Sequence, residues 1–564
     1  MIEYVDGTTF NPAGKKGQYI ARWKQLKDDR TSWIPHWQDI AENIRPRGVR
    51  FLYTDVNKGD KKNDAIINGT PIIALRTLAA GMMSGITSPS RPWFRLTTPV
   101  PGLDEERDVK LWLRLVEDAM RVVYAKSNVY NCLHSVYSDL GGFGVTAFHL
   151  DEDLEKVVRG YVHPLGSYCL ALNSKGEVDT IYHETSMRVR QLAQKFGLAK
   201  CSESVQLLAK QHQWDKPIPC LHVIEPRDNI RPEALGPESK PYRSVWMEQG
   251  GEDKLLGEGG YQEFPLFAPR WEVTGEDTYG TSPGMAALGD CKQLQHLELK
   301  KAQVVDKLVD PPLNAPSTMR NAKASLLPGD VNFVDVLAQG QGLRPVFDMS
   351  PQAVAVTGNE VVLVERRINS LFYADLWLML SQADGTMTAR EVVERREEKL
   401  LQLGTVLERL QLELLDPLVS RTFGIMVRRG LIPKPPKALQ GQELRVEYIS
   451  IMAQAQRLLS TTAVERLTTF TANLAQVKPD ILDTLDFDQT VQEYGGMLGV
   501  PPVMIRPDDA VSELRAQRAQ QQQAMAQQQA MAQQADTAKK LSETPLTTEN
   551  PTALTEILKG LGAR

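Results

Sequence analysis

Two long helical patterns, Pro283 to Val309 and Val356 to Met379, bracket a segment rich in proline and glycine, and no other feature limits the fold as strongly. Rising 1.5 Å per residue, each helix would reach about 35 to 40 Å. The intervening segment opens with Asp310-Pro311-Pro312 and carries Leu327-Pro328-Gly329-Asp330, Gly340-Gln341-Gly342 and Pro345. Such residues stop one helix and turn the chain before the next can start. The chain therefore runs out along a rod, forms something compact, and runs back. That is the layout of a shaft with a docking tip, which an enzyme core rarely needs.

At 564 residues the chain exceeds what one hydrophobic core can serve, so several domains are expected. Its 42% hydrophobic and 24% charged residues are those of an ordinary soluble protein. No run reaches the roughly 18 apolar residues that cross a membrane, so no membrane partner is expected. The start, Met1-Ile2-Glu3-Tyr4-Val5-Asp6, lacks the basic and apolar regions of a secretion signal. Five cysteines (Cys132, Cys169, Cys201, Cys220, Cys291) show no CxxC or zinc spacing and read as buried free thiols. A net charge of −5 excludes a polycation that grips nucleic acid through its phosphates.

Along the chain, an α+β, mainly helical class is expected. Helices are read over Ala21 to Asn43, interrupted at Pro35, and from Asn68-Gly69-Thr70-Pro71 to Met83, with Thr70 as N-cap and Pro71 at the first position. A third is read over Asp104 to Ser127, with Leu111, Leu115, Asp118 and Val122 along one side and Asp104, Glu105 and Glu106 at its start. Three helices thus precede any strand. From Gly141 to Val273 the pattern becomes short β runs: Val145 to Leu150, Val157 to Val162, Tyr168 to Leu172, Val178 to Thr185, Leu221 to Ile224, Ser244 to Glu248 and Trp271 to Thr274. Asn173-Ser174-Lys175-Gly176 is a hairpin connection, and a helix falls at Arg190 to Ala199.

Beyond the rod helices, Thr388 and Glu391 form a capping box, and Leu400, Leu403, Leu407, Leu410 and Leu414 follow a heptad seam. Pro417 should kink this helix, because it removes a hydrogen bond and its ring clashes with the preceding turn; the pattern resumes to Gly430. A strand (Leu444 to Ile449), a helix (Met452 to Ala475) and a compact region to Asp509 follow. Val511 to Gln534 repeats Gln-Gln-Gln-Ala-Met-Ala, good helix formers with a period that buries little by itself.

No residues assemble a catalytic constellation. Gly81-Met82-Met83-Ser84-Gly85 places its serine one position late for a nucleophile elbow and reads as a helix end before the loop Ser88 to Trp93. Gly141-Gly142-Phe143-Gly144 lacks the lysine and hydroxyl of a phosphate loop and reads as a backbone bend. His134, His149, His163 and His183 share no metal-binding spacing. Asp151-Glu152-Asp153 reads as solvated turn charge. No catalytic, cofactor or metal residue is assigned. The rod helices carry Lys292, Lys300, Lys301 and Lys307 beside Asp290, Glu298, Asp306 and Asp310, and Glu365 beside Arg366 and Arg367, which for a single copy is the charge of a solvated face.

The order of elements resembles the portal, or head-to-tail connector, of short-tailed, podovirus-type bacteriophages, from about Tyr19 to Pro507. The resemblance is carried by Gly81 to Pro89 with Arg91-Pro92-Trp93-Phe94, by Asp139 to Gly144, by Tyr279-Gly280-Thr281-Ser282-Pro283-Gly284 leading into the first rod helix, and by Thr388-Ala389-Arg390-Glu391-Val392. It implies a homododecameric ring at one capsid vertex of the virion, assembled in the host cytoplasm. Double-stranded DNA would pass through its channel during packaging and ejection. The partners it implies are the terminase motor, tail adaptor and tail tube proteins, and major capsid and scaffolding proteins, with no cofactor. By position it implies an N-terminal part and α+β wing over 1–281, stem helices over 282–309 and 353–379, and a clip over 310–352. A tunnel loop would follow over 380–387, then a bent wing helix with its strand and helix over 388–476, a crown over 477–510, a barrel helix over 511–535 and a flexible tail over 536–564. Pro311, Pro312, Pro328, Gly329 and Pro345 would belong to the docking clip. Lys300, Lys301, Lys307, Arg366 and Arg367 would face the DNA channel as weak cationic bands, since a conduit that bound phosphate tightly would arrest its cargo. A hydrolase using Gly81 to Ser90 or the His134 to His183 strands, and a helical scaffold that never touches DNA, are the competing readings.

Overall fold

The computed structural model describes residues 15–51, 59–100, 103, 106–234, 236–251, 254–309, 313–314, 344–345, 351–381, 403–439, 441, 444–448, 464–474, 486–487, 489–491, 494 and 508–542. The chain divides into two units, 1–456 and 457–564.

The first unit is built on a five-stranded antiparallel sheet, β4 (Tyr168–Leu172), β5 (Val178–Arg188), β6 (Pro217–Pro226), β7 (Tyr242–Glu248) and β8 (Gly257–Tyr261), paired in that order. Its β4–β5 hairpin turns on Asn173, whose side-chain oxygen accepts from the backbone of Lys175 and Glu177 at 2.8 and 3.0 Å, with Gly176 at φ +79°. Helix α1 (Lys15–Arg30) covers one face of this sheet: Tyr19, Ile20, Trp23 and Leu26, one side of a 3.6-residue period, pack on Cys169, Tyr182, Leu221, Val223, Val245 and Met247. Arg30, fully buried at the end of α1, donates to the carbonyls of Gly166 and Tyr168. The other face looks toward a three-stranded sheet, β3 (Val157–His163), β2 (Ala147–Asp153) and β9 (Leu266–Phe267).

The main core lies below the sheets, among α2 (Ile34–Asn43), α3 (Thr70–Gly85), α4 (Arg107–Lys126) and α5 (Val129–Phe143). A short 3-10 turn, Thr31–Trp33, joins α1 to α2 and precedes the interrupting Pro35. Helices α6 (Val189–Phe196) and α7 (Glu203–Lys210) close a small separate cluster around Val189, Leu192, Cys201 and Val205.

Several sequence expectations are corrected. A strand, β1 (Phe94–Thr97), precedes α4 and pairs with β12 (Arg445–Tyr448), so only two of the three expected helices come before a strand. Its partner lies some 350 positions away, and four residues with no neighbouring hairpin carry little local signal. On α4 the buried side is Val109, Trp112, Leu113, Val116, Met120, Val123 and Tyr124, while Leu115 is 54% exposed and Val122 is exposed as well. The expected stripe is the outer one, because the bulkier Trp112, Met120 and Tyr124 outweigh it in the core. Helix α4 begins at Arg107, and Asp108 is its first-turn acid. The N-cap position of α3 is Gly69, with no side-chain cap; Thr70 is already helical, and its amide donates to Oδ1 of Asn68, one position outside the cap, at 2.9 Å. Trp271 to Thr274 makes only single bridges, Arg270 with Val145 and Glu272 with Thr281. Helix α5 and strands β8 and β9 were not expected; β8 carries glycine at three of its five positions.

The rod comprises α8 (Pro283–Val309) and α9 (Pro351–Leu371), and β10 (Leu313–Asn314) pairs antiparallel with β11 (Arg344–Pro345) between them. The second rod helix is not continuous to Met379: Tyr373 sits at φ +54° and the chain restarts as α10 (Ala374–Ser381). The bent helix is described as α11 (Gly404–Leu410), a π-helical stretch Gln411–Leu415, and α12 (Asp416–Arg428). Pro417 lies in the first turn of α12, so its missing N–H coincides with a register change in the helical ladder. Leu403, Leu410 and Leu414 are buried. The capping box at Thr388 and Glu391 and the span 382–387 of the tunnel loop lie outside the described residues.

In the second unit, residues 464–474 are helical, and a helix runs from Asp508 to Ser542. It therefore continues seven positions into the segment expected as a flexible tail from 536; Ala535 to Lys540 extends the same helix-forming composition.

Candidate functional site: the stem and its base

The base of α8 is fixed by three glycine-bearing segments that are distant in sequence. Helix α5 ends in Gly141, Gly142 and Phe143, and Gly144 turns the chain at φ +83° into β2. The segment Gly280 to Gly284 lies directly against this turn. A side-chain carbon on Gly144 would overlap the Gly280 carbonyl, one on Gly284 would overlap the Gly142 carbonyl, and one on Gly280 would come within 2.6 Å of the Gly144 oxygen. Backbone meets backbone because there are no side chains to keep the segments apart. Ser282 ties them together: its Oγ donates to the Gly142 carbonyl at 2.8 Å and accepts from the Met285 amide at 3.0 Å, capping the first turn of α8. Beside it, the buried Asp139 carboxyl is held by Arg45 Nε at 2.7 Å, although burial still pushes its pKa up.

A second close approach places α10. Gly81 of α3 lies under the Trp377 ring, which a side chain there would overlap. Ser84 Oγ donates to the Gly81 carbonyl at 3.1 Å within its own helix, and Arg91 Nη2 donates to the Ser84 carbonyl at 2.6 Å. These contacts give the Gly81 to Phe94 segment a packing role.

Above the base, α8 and α9 share a polar collar. Asn68 Nδ2 donates to Glu298 of α8 at 3.1 Å and to Glu365 of α9 at 2.9 Å. Gln295 Oε1 accepts from the amides of Ile67 and Asn68 at 2.7 and 2.8 Å, and its Nε2 donates to the Asn68 carbonyl at 2.9 Å. One loop thus holds both stem helices in register.

The stem buries apolar residues only near its base: Ala287, Leu288, Cys291 and Leu294 on α8, and Val361, Val364 and Ile368 on α9. Past Gln295 no residue of α8 is buried, and Leu299, Val305, Leu308 and Val309 are exposed, the last at 79%; Val356 on α9 is 68% exposed.

The expected channel cations lie along both rod helices, Lys300, Lys301 and Lys307 on α8 and Arg366 and Arg367 on α9. Lys301 lies 3.6 Å from Glu298, and Arg367 lies 3.0 Å from Asp290 and 3.2 Å from Gln293, so both are engaged within the subunit. Lys300, Lys307 and Arg366 are exposed, with Lys300 Nζ donating to Gln303 at 3.4 Å. Lys292 joins the stem to α2 through Asp39 at 2.8 Å. Of the clip residues, Pro345 pairs opposite Leu313; Pro311, Pro312, Pro328 and Gly329 lie outside the described residues. The cysteines are all buried and unpaired, with burial pushing the Cys291 thiol up to about 12. Among the described residues no three His, Cys, Asp or Glu side chains are disposed to hold a metal, and no helix is long and apolar enough to cross a membrane.

Comparison with known proteins matches this architecture to a family. The profile of the family described as "Bacteriophage head to tail connecting protein" covers residues 16–505, and the chain belongs to that family, the portal proteins of tailed bacteriophages. It is 44% identical to the portal protein of Salmonella phage epsilon15, over 97% of this chain and 99% of that one. It is 42% identical to the probable portal protein of Bordetella phage BPP-1, over 96% and 97%. A solved chain in the virion of a native gene transfer agent particle aligns at 12% identity and a TM-score of 0.32, over 77% of this chain and 90% of that one. Sequence reasoning found the segments that carry the family likeness but not that two of them, Gly141 to Gly144 and Gly280 to Gly284, meet. Their shared wealth of glycine was the available signal.

Proposed function

We propose that this protein forms a dodecameric ring at one capsid vertex, through which DNA is packaged and ejected, and that the ring docks the terminase and the tail proteins without catalysing a reaction itself. The observation that carries the ring is the distal stem. An isolated pair of helices is poorly held over a length where no described side chain is fully buried, because helices in proteins are held mainly by packing of an apolar face. Exposed Leu299, Val305, Leu308, Val309 and Val356 therefore call for cover from adjacent copies. We assign the ring's external docking to the clip, 310–352, because it interrupts two stem helices whose base is fixed elsewhere. Replacing 312–345 with a short Gly/Ser linker should leave rings visible by negative-stain microscopy that no longer capture terminase or tail adaptor in a pull-down. Unchanged capture would overturn the docking assignment, and failure of the full-length protein to form rings would overturn the ring.

The channel role is assigned to Lys300 and Lys307, which lie seven residues apart and so on nearly the same face of α8. Lys300→Ala with Lys307→Ala should leave the unfolding free energy within about 1 kcal/mol of wild type, because exposed charges contribute little to stability. It should change packaged DNA length in a salt-dependent way if these residues touch phosphate. Arg367→Ala, which breaks the link to Asp290, should do the reverse: a small loss of stability and unaltered packaging. Unaltered packaging in the Lys300/Lys307 variant across the salt series would remove both residues from the channel.

A further inference from the structure

Four histidines gather where the two sheets of the wing face each other. On the five-stranded sheet His183 and His222 are directly opposed across β5 and β6, and Trp246 continues the row on β7. On the three-stranded sheet His149 of β2 and His163 of β3 are diagonal neighbours. The rings meet between the sheets: His163 and His183 have centroids 3.8 Å apart, His149 and His163 are 5.7 Å apart, and His149 and His222 are 6.0 Å apart. His222 stacks on Trp246 at 3.9 Å, and Lys195 Nζ lies 3.7 Å over the far side of that ring.

The polar atoms of the cluster are unevenly partnered. His222 Nε2 bonds to Ser244 Oγ at 2.9 Å and His149 Nε2 to Asp151 at 3.0 Å, while His163 Nε2 is buried with no partner. The charged groups facing the cluster are Asp151 of β2, Lys195 of α6 and Arg50 from the segment before α3. Tyr261 of β8 donates to Asp151 at 3.2 Å, and Arg421 of α12 lies 5.2 Å over the Tyr261 ring. One acid against two bases leaves no charge to receive three further protons.

We propose that this four-histidine contact is an acid-sensitive latch, which holds the three-stranded sheet against the five-stranded one while His163, His183 and His222 are neutral and releases it when these three take up protons. Burial, and then the neighbouring imidazoles, hold His163, His183 and His222 well below the usual histidine range. The sign follows from linkage. A histidine kept neutral when closed but free to protonate when open stabilises the closed state above its ordinary value, near 6.5, and that stability is lost as pH falls below it.

The test is hydrogen exchange on the full-length protein at pH 8.0, 6.5 and 5.5, with exchange times scaled for the intrinsic rate. It compares wild type with His163→Phe/His183→Phe, which keeps two aromatic rings and removes two titrating groups. In wild type the opening equilibrium of peptides covering β2, β3 and β5 should rise about tenfold per histidine per pH unit below about 6.5, or up to about a thousandfold at pH 5.5. The double variant should rise only about tenfold over that range. Single His183→Phe, expected to rise about a hundredfold, supplies the comparison if the double variant does not fold. Wild-type protection that stays constant from pH 8.0 to 5.5, or a variant that loses protection as steeply as wild type, would overturn the latch.

Discussion

Gly144→Ala is expected to destabilise the protein by about 2 to 5 kcal/mol. Placing a side chain in the left-handed region costs about 1 to 2 kcal/mol, and forcing a methyl into a packed site costs about 1 to 3 more. Both apply here, because Gly144 lies at φ +83° and its added carbon would overlap the Gly280 carbonyl, part of a backbone that cannot rotate away as a side chain would. Gly275→Ala separates the two contributions. Gly275 lies at φ +62° with open space around it, so only the conformational cost, about 1 to 2 kcal/mol, should appear. Urea unfolding of the two variants gives the comparison. Equal losses would mean that the base of the stem yields to accommodate a methyl and does not fix α8. If the junction is as rigid as its geometry implies, Gly144→Ala should also reduce the yield of rings, since a shifted α8 would misplace the whole stem.

Asn68→Asp is expected to weaken the stem collar at neutral pH by about 1 to 3 kcal/mol, the size of a lost hydrogen bond to a charged group together with new like-charge repulsion. The variant keeps the oxygen that accepts from the Thr70 amide, so that bond at the start of α3 is preserved. It replaces the donor shared by Glu298 and Glu365 with a third carboxylate, and three such groups cannot all ionise at that spacing without cost. The loss relative to wild type should therefore shrink as pH falls toward 4, where one carboxyl takes up a proton. It should also shrink at pH 7 in the background Glu365→Gln, which restores an amide. Melting temperatures of the variants at pH 7 and 4.5 test this. A pH-independent loss, unaffected by Glu365→Gln, would show that the collar carboxylates do not depend on Asn68.

Both variants test contacts between residues far apart in the chain, and these are where sequence reading stopped. The β4–β5 hairpin was legible because Asn173 and Gly176 complete their turn within five residues. Helix α8 was legible because its length and its proline and glycine boundaries are local, and the Gly81 to Phe94 and Gly280 to Gly284 segments stood out by their residue order. The break at Tyr373 gave no warning, since a tyrosine at φ +54° is an exception to the rule that left-handed positions favour glycine. Nor did the inward side of α4: the stripe Leu111, Leu115, Asp118 and Val122 and the one that contains Trp112, Val116 and Met120 both carry apolar residues at helical spacing, and the neighbouring elements bury the second.

The histidines show the same division. His149, His163 and His183 share no metal-like spacing in the sequence, no local pattern marks His222, and His134 is exposed on α5. Strand register brings the first three together with His222 and leaves His134 apart. By itself the sequence determined what is fixed within a turn or two of helix: the first rod helix, the β-rich segment after Gly141, the hairpin connection and the absence of a cysteine framework. The tertiary structure alone decided which glycine meets which backbone, which carboxylates share Asn68, and which imidazoles stack, because each depends on long-range register and packing that no local spacing encodes.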